Sequence, residues 1–191
     1  MRKWLVAAAI SAAMISSAHA GTACYGELSA GKSITETSTT NPAGPVTISA
    51  SGLEGGIGIG CDYAIGATVI GVLARYDLLD VRSNLAGGAM DADAMWTLAV
   101  RAGVKINPGT LIYGLAGFSG TELTYPGLEI DPTGITYGAG LEIDIAVENL
   151  TGFVEWSHTS LDERRTALGA RFDPESDSIR VGVRMKFNMP N

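Results

Sequence analysis

The strict alternation of side chains close to the C-terminus constrains the fold more than any other feature of this sequence. From residue 179 to residue 187, apolar side chains at the odd positions alternate with Arg, Gly, Arg and Lys at the even positions. Because successive side chains of a strand point to opposite faces, one face here is wholly apolar and the other is cationic or bare. These nine residues are about the length that a tilted strand needs to cross a bilayer. The pattern therefore predicts a membrane-spanning strand.

The first twenty residues have the pattern of an export signal. Arg2 and Lys3 precede an apolar stretch over residues 4–15, and Ala18-His19-Ala20 fits the small-x-small cleavage rule. We expect cleavage after Ala20, so that residues 1–20 are a signal peptide and residues 21–191 form a single domain.

Eight segments of the mature chain have strand character. Their approximate spans are 23–34, 53–63, 67–79, 93–106, 110–119, 134–146, 149–160 and 177–187. Short connections at 64–66, 107–109 and 147–148 alternate with long ones at about 35–52, 80–92, 120–133 and 161–176. Short periplasmic turns that alternate with long outer loops are typical of outer-membrane barrels. The predicted fold is all-β, an eight-stranded antiparallel up-and-down transmembrane β-barrel; a soluble sandwich is the alternative.

Charges separate from apolar residues across the two faces of these strands. The outward sets carry no charge, including Leu111, Tyr113 and Leu115 in the fifth predicted strand. The inward positions carry six cations and six anions: Arg75, Arg101, Lys105, Arg180, Arg184, Lys186, Glu27, Asp62, Asp77, Glu142, Asp144 and Glu155. An eight-stranded barrel has room only for side chains inside. We expect an ion-pair network that plugs the lumen rather than a channel lining.

Aromatic residues sort towards the two predicted rims. Tyr76, Trp96, Tyr137 and Trp156 fall near the outer rim, and Tyr63, Tyr113 and Phe187 fall near the periplasmic rim. Two aromatic girdles are typical of barrels in the outer membrane. Ordinary β-prone residues in a sandwich core are the alternative interpretation.

Several short phrases resemble the opacity-type outer-membrane proteins of Gram-negative bacteria, a family of small surface antigens. They are Gly55–Tyr63, Thr136–Glu142, Gly152–Ser160 and Arg180–Phe187. The resemblance implies an eight-stranded barrel with a surface-antigen, adhesion or porin-like role. Members of that family commonly end in an aromatic residue read by the barrel-assembly machinery, whereas residues 188–191 follow Phe187 here. The barrel-assembly machinery is nevertheless an expected partner.

The two cysteines fit a cross-strand disulfide. If paired positions of the first hairpin sum to 85, Cys24 lies opposite Cys61 and the hairpin centres on residues 41–43. The oxidising compartment favours the bond, which would pin the register of the weakly patterned first strand. Two free buried thiols are the alternative.

Charge and composition limit the ligands. With the signal removed, 11 basic and 20 acidic residues remain, a net charge of −9, so phosphate repulsion makes nucleic acid a poor partner. One histidine and two paired cysteines are too few for a metal site, and we expect no cofactor. Outer-membrane lipid and lipopolysaccharide are expected partners, as is a host or surface ligand for the loops. Arg164, Arg165 and Arg171 could meet lipopolysaccharide phosphates, although a solvated loop is the simpler interpretation.

His158 and Ser160 raise one catalytic possibility. Their His-x-Ser spacing is faintly similar to that of outer-membrane lipid A deacylases, in which a histidine activates a serine for attack on an acyl ester. Asp162, Glu163 and Glu175 are carboxylates near in sequence. An amphipathic histidine at the membrane rim is the alternative.

We therefore expect a non-enzymatic integral protein of the bacterial outer membrane with a structural, surface-antigen or adhesion role. A small diffusion porin and a lipid A acyl hydrolase that uses His158 and Ser160 are the other two hypotheses. A fold of this kind hosts all three functions, so the site has to decide between them.

Overall fold

The computed structural model describes residues 21–41, 44–85, 88–125, 128–130, 132–162, 164–165 and 171–187. The predicted signal peptide (1–20), the centre of the first hairpin (42–43) and Glu163 lie outside the described residues. For Arg164, Arg165 and Arg171 the structure describes the backbone alone.

The described chain is a succession of antiparallel strands. They are β1 Thr22–Asn41, β2 Gly44–Ile65, β3 Thr68–Leu85, β4 Gly88–Asn107, β5 Thr110–Tyr125, β6 Leu128–Ile130, β7 Thr133–Asp144, β8 Leu150–Leu161, β9 Arg164–Arg165 and β10 Arg171–Phe187. β6 and β9 are short additions that pair with β5 and β10. No helix long and apolar enough to cross a membrane occurs among the described residues.

The remaining eight strands close into a barrel, as predicted. Each pairs with the next in chain order, and β10 pairs back with β1. Following the paired positions once around the wall leads from Gly26 through Ile59, Ala74, Leu98, Phe118, Ile135, Ser160 and Glu175 to Glu36. One circuit therefore returns to β1 at a position displaced by 36 minus 26, or ten residues, and this displacement is the stagger of the barrel. A barrel with this stagger has strongly tilted strands and an interior that side chains can fill.

The two ends of the barrel differ in their connections. One end, called the turn end here, carries the short connections, where Gly66 and Asn149 adopt a left-handed conformation with φ of 62°. The other end is called the hairpin end. Here strand pairing extends deep into the predicted long loops, for example from Glu36↔Ser49 to Asn41↔Gly44. These Ser- and Thr-rich segments lack apolar alternation, which is why the sequence pattern ends before the strands do.

The alternation of the faces follows the prediction on most strands. Side chains such as Ile57, Val100 and Val181 are 58–64% exposed on the outside, whereas the charged side chains of opposite parity point inward and are buried. The wall is therefore apolar outside and charged inside.

Strand β5 is the exception, and the prediction for it was wrong. Leu111, Tyr113 and Leu115 face the interior and are 2–7% exposed, whereas Ile112 and Phe118 face outward. Lys105 pairs with Leu111 but Asn107 pairs with Thr110, so that a bulge at Ile106 shifts the register by one residue. A one-residue shift moves every side chain to the other face. Tyr113 therefore does not belong to the predicted girdle at the turn end.

The predicted disulfide is confirmed. Cys24 and Cys61 are paired across β1 and β2 and are bonded to each other, at a sequence separation of 37 residues. β1 closes the barrel against β10, so the cross-link attaches this closing strand to its other neighbour.

We expect the double substitution Cys24→Ser and Cys61→Ser to lower the free energy of unfolding by about 2–4 kcal/mol, because the unfolded chain then loses a closed loop. Unfolding by urea in detergent micelles, monitored by gel mobility in the absence of reductant, measures the change. A reductant should bring the native protein to the midpoint of the variant and leave the variant unchanged. Equal midpoints without reductant would contradict the prediction.

Candidate functional site

Arg184 lies at the centre of the filled lumen. Its side chain is fully buried, and its guanidinium donates to Glu27 Oε2 at 2.8 Å and to Glu142 Oε2 at 2.7 Å. It also contacts Glu155 Oε2 at 3.4 Å and donates to the Tyr113 hydroxyl at 3.1 Å. The planar, five-donor guanidinium is suited to bridging several carboxylates in this way.

Two further arginines extend the network along the barrel. Arg75 donates to Glu27 Oε1 at 2.7 Å and to Glu155 Oε1 at 2.8 Å, so it shares both acids with Arg184. Arg101 forms a two-point pair with Asp62 and donates to Glu142 Oε2 at 3.2 Å. The predicted charges are therefore joined through shared carboxylates rather than arranged as separate pairs.

Aromatic rings complete the packing around these cations. Arg184 lies 4.0 Å from the Phe153 ring centroid, and both Arg101 and Arg184 approach the rings of Tyr25 and Tyr113. The two tyrosines pack against bare backbone, because a Cβ added at Gly60 would overlap Tyr25 and one added at Gly140 would overlap Tyr113. Inward glycines thus make room for large polar side chains in a narrow lumen.

The network also contains two residues that the sequence did not predict, Glu54 beside Arg180 and Tyr25 beside Arg101 and Arg184. Arg180 donates to Asp77 Oδ1 at 3.0 Å and lies 3.3 Å from Glu54 Oε1, which also accepts from the Ser178 hydroxyl. Glu54 has the parity of Asp62, and Tyr25 has the parity of Glu27, so the alternation of their strands could have identified both.

Small hydroxyl side chains line the opposite wall of the lumen at the hairpin end. The hydroxyls of Thr97, Ser119, Thr136 and Thr159 form a chain of hydrogen bonds of 2.6–2.8 Å across β4, β5, β7 and β8. All four residues are buried. Each hydroxyl can donate one bond and accept another, so the chain satisfies polar groups without adding charge.

Two predicted members of the network lie at the mouth instead. Lys105 is exposed, and the Asp144 side chain is 55% exposed and lies 3.6 Å from Lys186 Nζ. Lys186 itself reaches Glu142 Oε1 at 3.0 Å. All three border a cavity of about 160 Å³ at the turn end. The prediction that Lys105 and Asp144 are buried in the lumen was wrong, because their strands end here and the barrel opens.

The buried charges are therefore not the six against six that the sequence suggested. Among the described residues, four arginines are buried with six acids: Glu27, Glu54, Asp62, Asp77, Glu142 and Glu155. The half-buried Lys186 adds a fifth cation. Shared hydrogen bonds compensate the desolvation that an isolated buried charge would suffer.

The outward aromatic residues lie at two levels. Tyr63 and Phe187 lie near the turn end; Tyr76, Trp96, Tyr137 and Trp156 lie towards the hairpin end, and all six are 40–54% exposed. Tyr76 and Trp96 are paired positions, and the Tyr137 and Trp156 rings meet edge to face at 6.0 Å. This placement leaves two levels of aromatic residues separated by an apolar outer wall.

His158 and Ser160 both lie on the outward face of β8, near the hairpin end. His158 Nδ1 lies 3.2 Å from Asp177 Oδ1, and the same oxygen accepts from Trp156 Nε1 at 3.2 Å. Asp177 lies on β10 opposite His158, and was not among the acids considered from sequence. Within the described part of the chain, no hydrogen bond joins Ser160 to His158. Nor do the described His, Cys, Asp and Glu side chains form any group of three or more that could hold a metal ion.

A closed barrel with an apolar exterior, two aromatic levels and an ion-paired interior is a membrane β-barrel. The sequence matches the family described as outer membrane protein beta-barrel domain over residues 5–187, and the chain belongs to this family of the outer membrane. A comparison with curated protein sequences found no match.

Solved structures with a similar fold include Neisserial surface protein A, with 15% identity, a TM-score of 0.51, and coverage of 86% of this chain and 97% of that one. Ail, the attachment invasion locus protein of Yersinia pestis, has 17% identity, a TM-score of 0.48, and coverage of 85% and 98%. OprG from Pseudomonas aeruginosa has 13% identity, a TM-score of 0.48, and coverage of 88% and 97%. At 15% identity, the similarity to Neisserial surface protein A shows the fold alone.

We expect Arg184→Met to destabilise the barrel by about 3–5 kcal/mol, because it leaves buried carboxylates with too few partners. Lys186→Met is the matched control, since this half-buried cation at the mouth should contribute only about 0–1 kcal/mol. Urea unfolding in micelles, followed by tryptophan fluorescence, gives both values. Equal losses for the two variants would show that burial within the network does not set the cost.

Proposed function

We propose that this protein is a non-enzymatic surface protein of the bacterial outer membrane that binds ligands through its hairpin end. The observation that carries the proposal is the contrast between the two parts of the barrel. The lumen is filled by buried, mutually bonded charges, whereas the strands continue well beyond the aromatic level at the hairpin end. From Tyr76, for instance, β3 runs on to Leu85, about 30 Å along the strand.

The orientation follows from the layout of outer-membrane barrels. Short turns face the periplasm and long connections face outward, so that the hairpin end lies outside the cell. Surface-exposed strands and loops on a rigid support are where binding residues commonly occur. A structural or surface-antigen role would also require that the hairpin end is exposed outside the cell, and it would require no further site.

The filled lumen speaks against a diffusion pore. Arg75, Arg101, Arg180 and Arg184 are each at most 5% exposed, and acids contact them on several sides. Opening a path for solutes would require several charge-assisted hydrogen bonds to break together, and these are the strong ones.

Surface binding can be tested by shortening the hairpins at positions where the ladder allows a two-residue turn. Glu36 pairs with Ser49 and Gly120 pairs with Thr133, so Asn-Gly can replace residues 37–48 or 121–132. We expect bacteria that display the native protein to adhere to fibronectin, laminin or collagen, or to cultured epithelial cells. The shortened variants should reduce adhesion to the level of bacteria without the protein.

Replacing Gly66-Ala67 by Asn-Gly at the turn end is the matched control, and it should retain adhesion. Heat-modifiable gel migration verifies that each variant folds. If surface-exposed native protein adheres to none of these substrates, the proposed binding role is wrong.

Acyl-ester hydrolysis is the second candidate, and one observation favours it. The contact between His158 Nδ1 and Asp177 Oδ1 is the arrangement of a base and its orienting acid. Against it stands the lack of a hydrogen bond to Ser160 in the described residues, although such bonds can tighten only when substrate is bound.

We expect lipid A from bacteria producing the native protein, His158→Ala or Ser160→Ala to have the same acyl chains, as measured by mass spectrometry. Bacteria with an empty vector provide the reference. Loss of an acyl chain that requires both side chains would support hydrolysis and overturn the non-enzymatic proposal.

A further inference from the structure

Among the outward side chains that the structure describes, Asp, Glu, Lys and His are confined to one sector of the barrel. Among the described outward residues, Lys32 and Glu36 lie on β1, His158 on β8, and Glu175 and Asp177 on β10, which are neighbouring strands. The outward positions of β2 to β7 carry no Asp, Glu, Lys, Arg or His side chain in the part of the chain whose side chains are described. The sector is therefore a charged interruption of a wall whose other described side chains are uncharged.

Four residues of this sector form what we call the polar wedge: Lys32, His158, Ser160 and Asp177. Apolar side chains flank the wedge at paired positions of the neighbouring strands, because Leu53 on β2 pairs with Lys32 and Ile135 on β7 pairs with Ser160. Leu53 is 71% and Ile135 is 58% exposed. At this level the surrounding wall suits acyl chains, but the wedge requires polar partners.

The structure orients the wedge carboxylate through contacts to one of its two oxygens. Trp156 Nε1 and His158 Nδ1 both contact Oδ1 of Asp177, and no described residue donates to Oδ2. The Asp177 side chain is 54% exposed. Tyr137 supports the other side of His158, with ring centroids 5.2 Å apart. Because its side chain is exposed, the Asp177 carboxylate can accept a hydrogen bond from an external donor.

Lys32 supplies the opposite charge close by. It is paired with Ile179, two residues from Asp177 along β10, so Lys32 and Asp177 are diagonal neighbours on one face. Lys32 is exposed and forms no ion pair with another described residue. Its long side chain can reach the level of the headgroups while its stem lies on the apolar wall.

The level of the wedge identifies the kind of molecule that would meet it. Trp156 and Tyr137, at the aromatic level of the hairpin end, lie beside His158, and such residues mark the boundary between acyl chains and headgroups. Lys32 attracts a phosphate, but a bare phosphate would be repelled by Asp177 and by the neighbouring Glu175 and Glu36. A phosphate attached to a saccharide resolves this conflict, because its hydroxyl or amide groups can donate to the carboxylate.

We propose that the polar wedge binds the phosphorylated saccharide headgroup of a glycolipid in the outer leaflet. Lys32 contacts the phosphate, and Asp177, oriented by Trp156 and His158, accepts hydrogen bonds from the sugar. This site is independent of the proposed surface binding, since it lies on the lipid-facing wall rather than on the hairpins.

Native mass spectrometry of the purified protein in a mild detergent tests the proposal with added lipid A. Lys32→Gln and Asp177→Asn should each weaken binding by about tenfold, the effect of losing one charge-assisted hydrogen bond. Lys105→Gln and Asp144→Asn are matched controls, because they make the same charge changes at the opposite mouth. Both controls should bind lipid A as the native protein does.

Two other probes separate the parts of the headgroup. With dephosphorylated lipid A, Asp177→Asn should still weaken binding and Lys32→Gln should have no effect. Phosphatidylglycerol, an anionic lipid without a saccharide, should bind the native protein more weakly than lipid A. The proposal is overturned if Lys32→Gln and Asp177→Asn bind lipid A like the controls, or if phosphatidylglycerol binds equally well.

Discussion

The structure depends on satisfying polar groups inside a closed, narrow cylinder. Closure of β1 on β10 removes every sheet edge from the membrane-spanning wall, which a chain in hydrocarbon requires. Eight strands staggered by ten residues then enclose a lumen that has to be packed with side chains. Arginine suits this lumen because one guanidinium can bridge several carboxylates. Arg184 contacts Glu27, Glu142 and Glu155 together, so that it bonds β1, β7 and β8 to β10. Arg75 on β3 contacts Glu155 on β8, and this ion pair joins strands on opposite sides of the barrel.

The sequence predicted this architecture wherever one face of a strand carries charge. Charged residues identify the inward parity of two strands: Arg75 and Asp77 on β3, and Arg180 and Arg184 on β10. Residues 111–118 contain apolar side chains at both parities, so that alternation could not orient β5. The bulge at Ile106 sets which face of β5 points inward, and a single unpaired residue of this kind does not change the hydropathy pattern. The strand pairing of the hairpins was not predicted for a related reason, because their sequences lack the apolar period from which a strand can be recognised.

The polar wedge shows a different limit of sequence reasoning. The parity of Lys32, His158 and Asp177 could be read from their strands, and each alone looks like an ordinary residue at a membrane rim. Their proximity depends on the register of β10 against both β1 and β8, which brings together residues from the two ends of the chain. Register over such a separation follows from the stagger of the whole barrel, and no local pattern encodes it.

The buried charges of the lumen and the outward residues of the polar wedge are physically separate, so stability and ligand binding can depend on different side chains. The lumen charges are bonded to one another, so a ligand that used them would first have to break bonds on which the fold depends. Among the described residues, the polar wedge makes no hydrogen bond or ion pair with this network, so we expect substitutions in the wedge to leave the lumen contacts intact. The surface binding proposed above would therefore depend on residues other than those that stabilise the barrel, whereas a conducting lumen would have to be opened at the expense of the bonds described here.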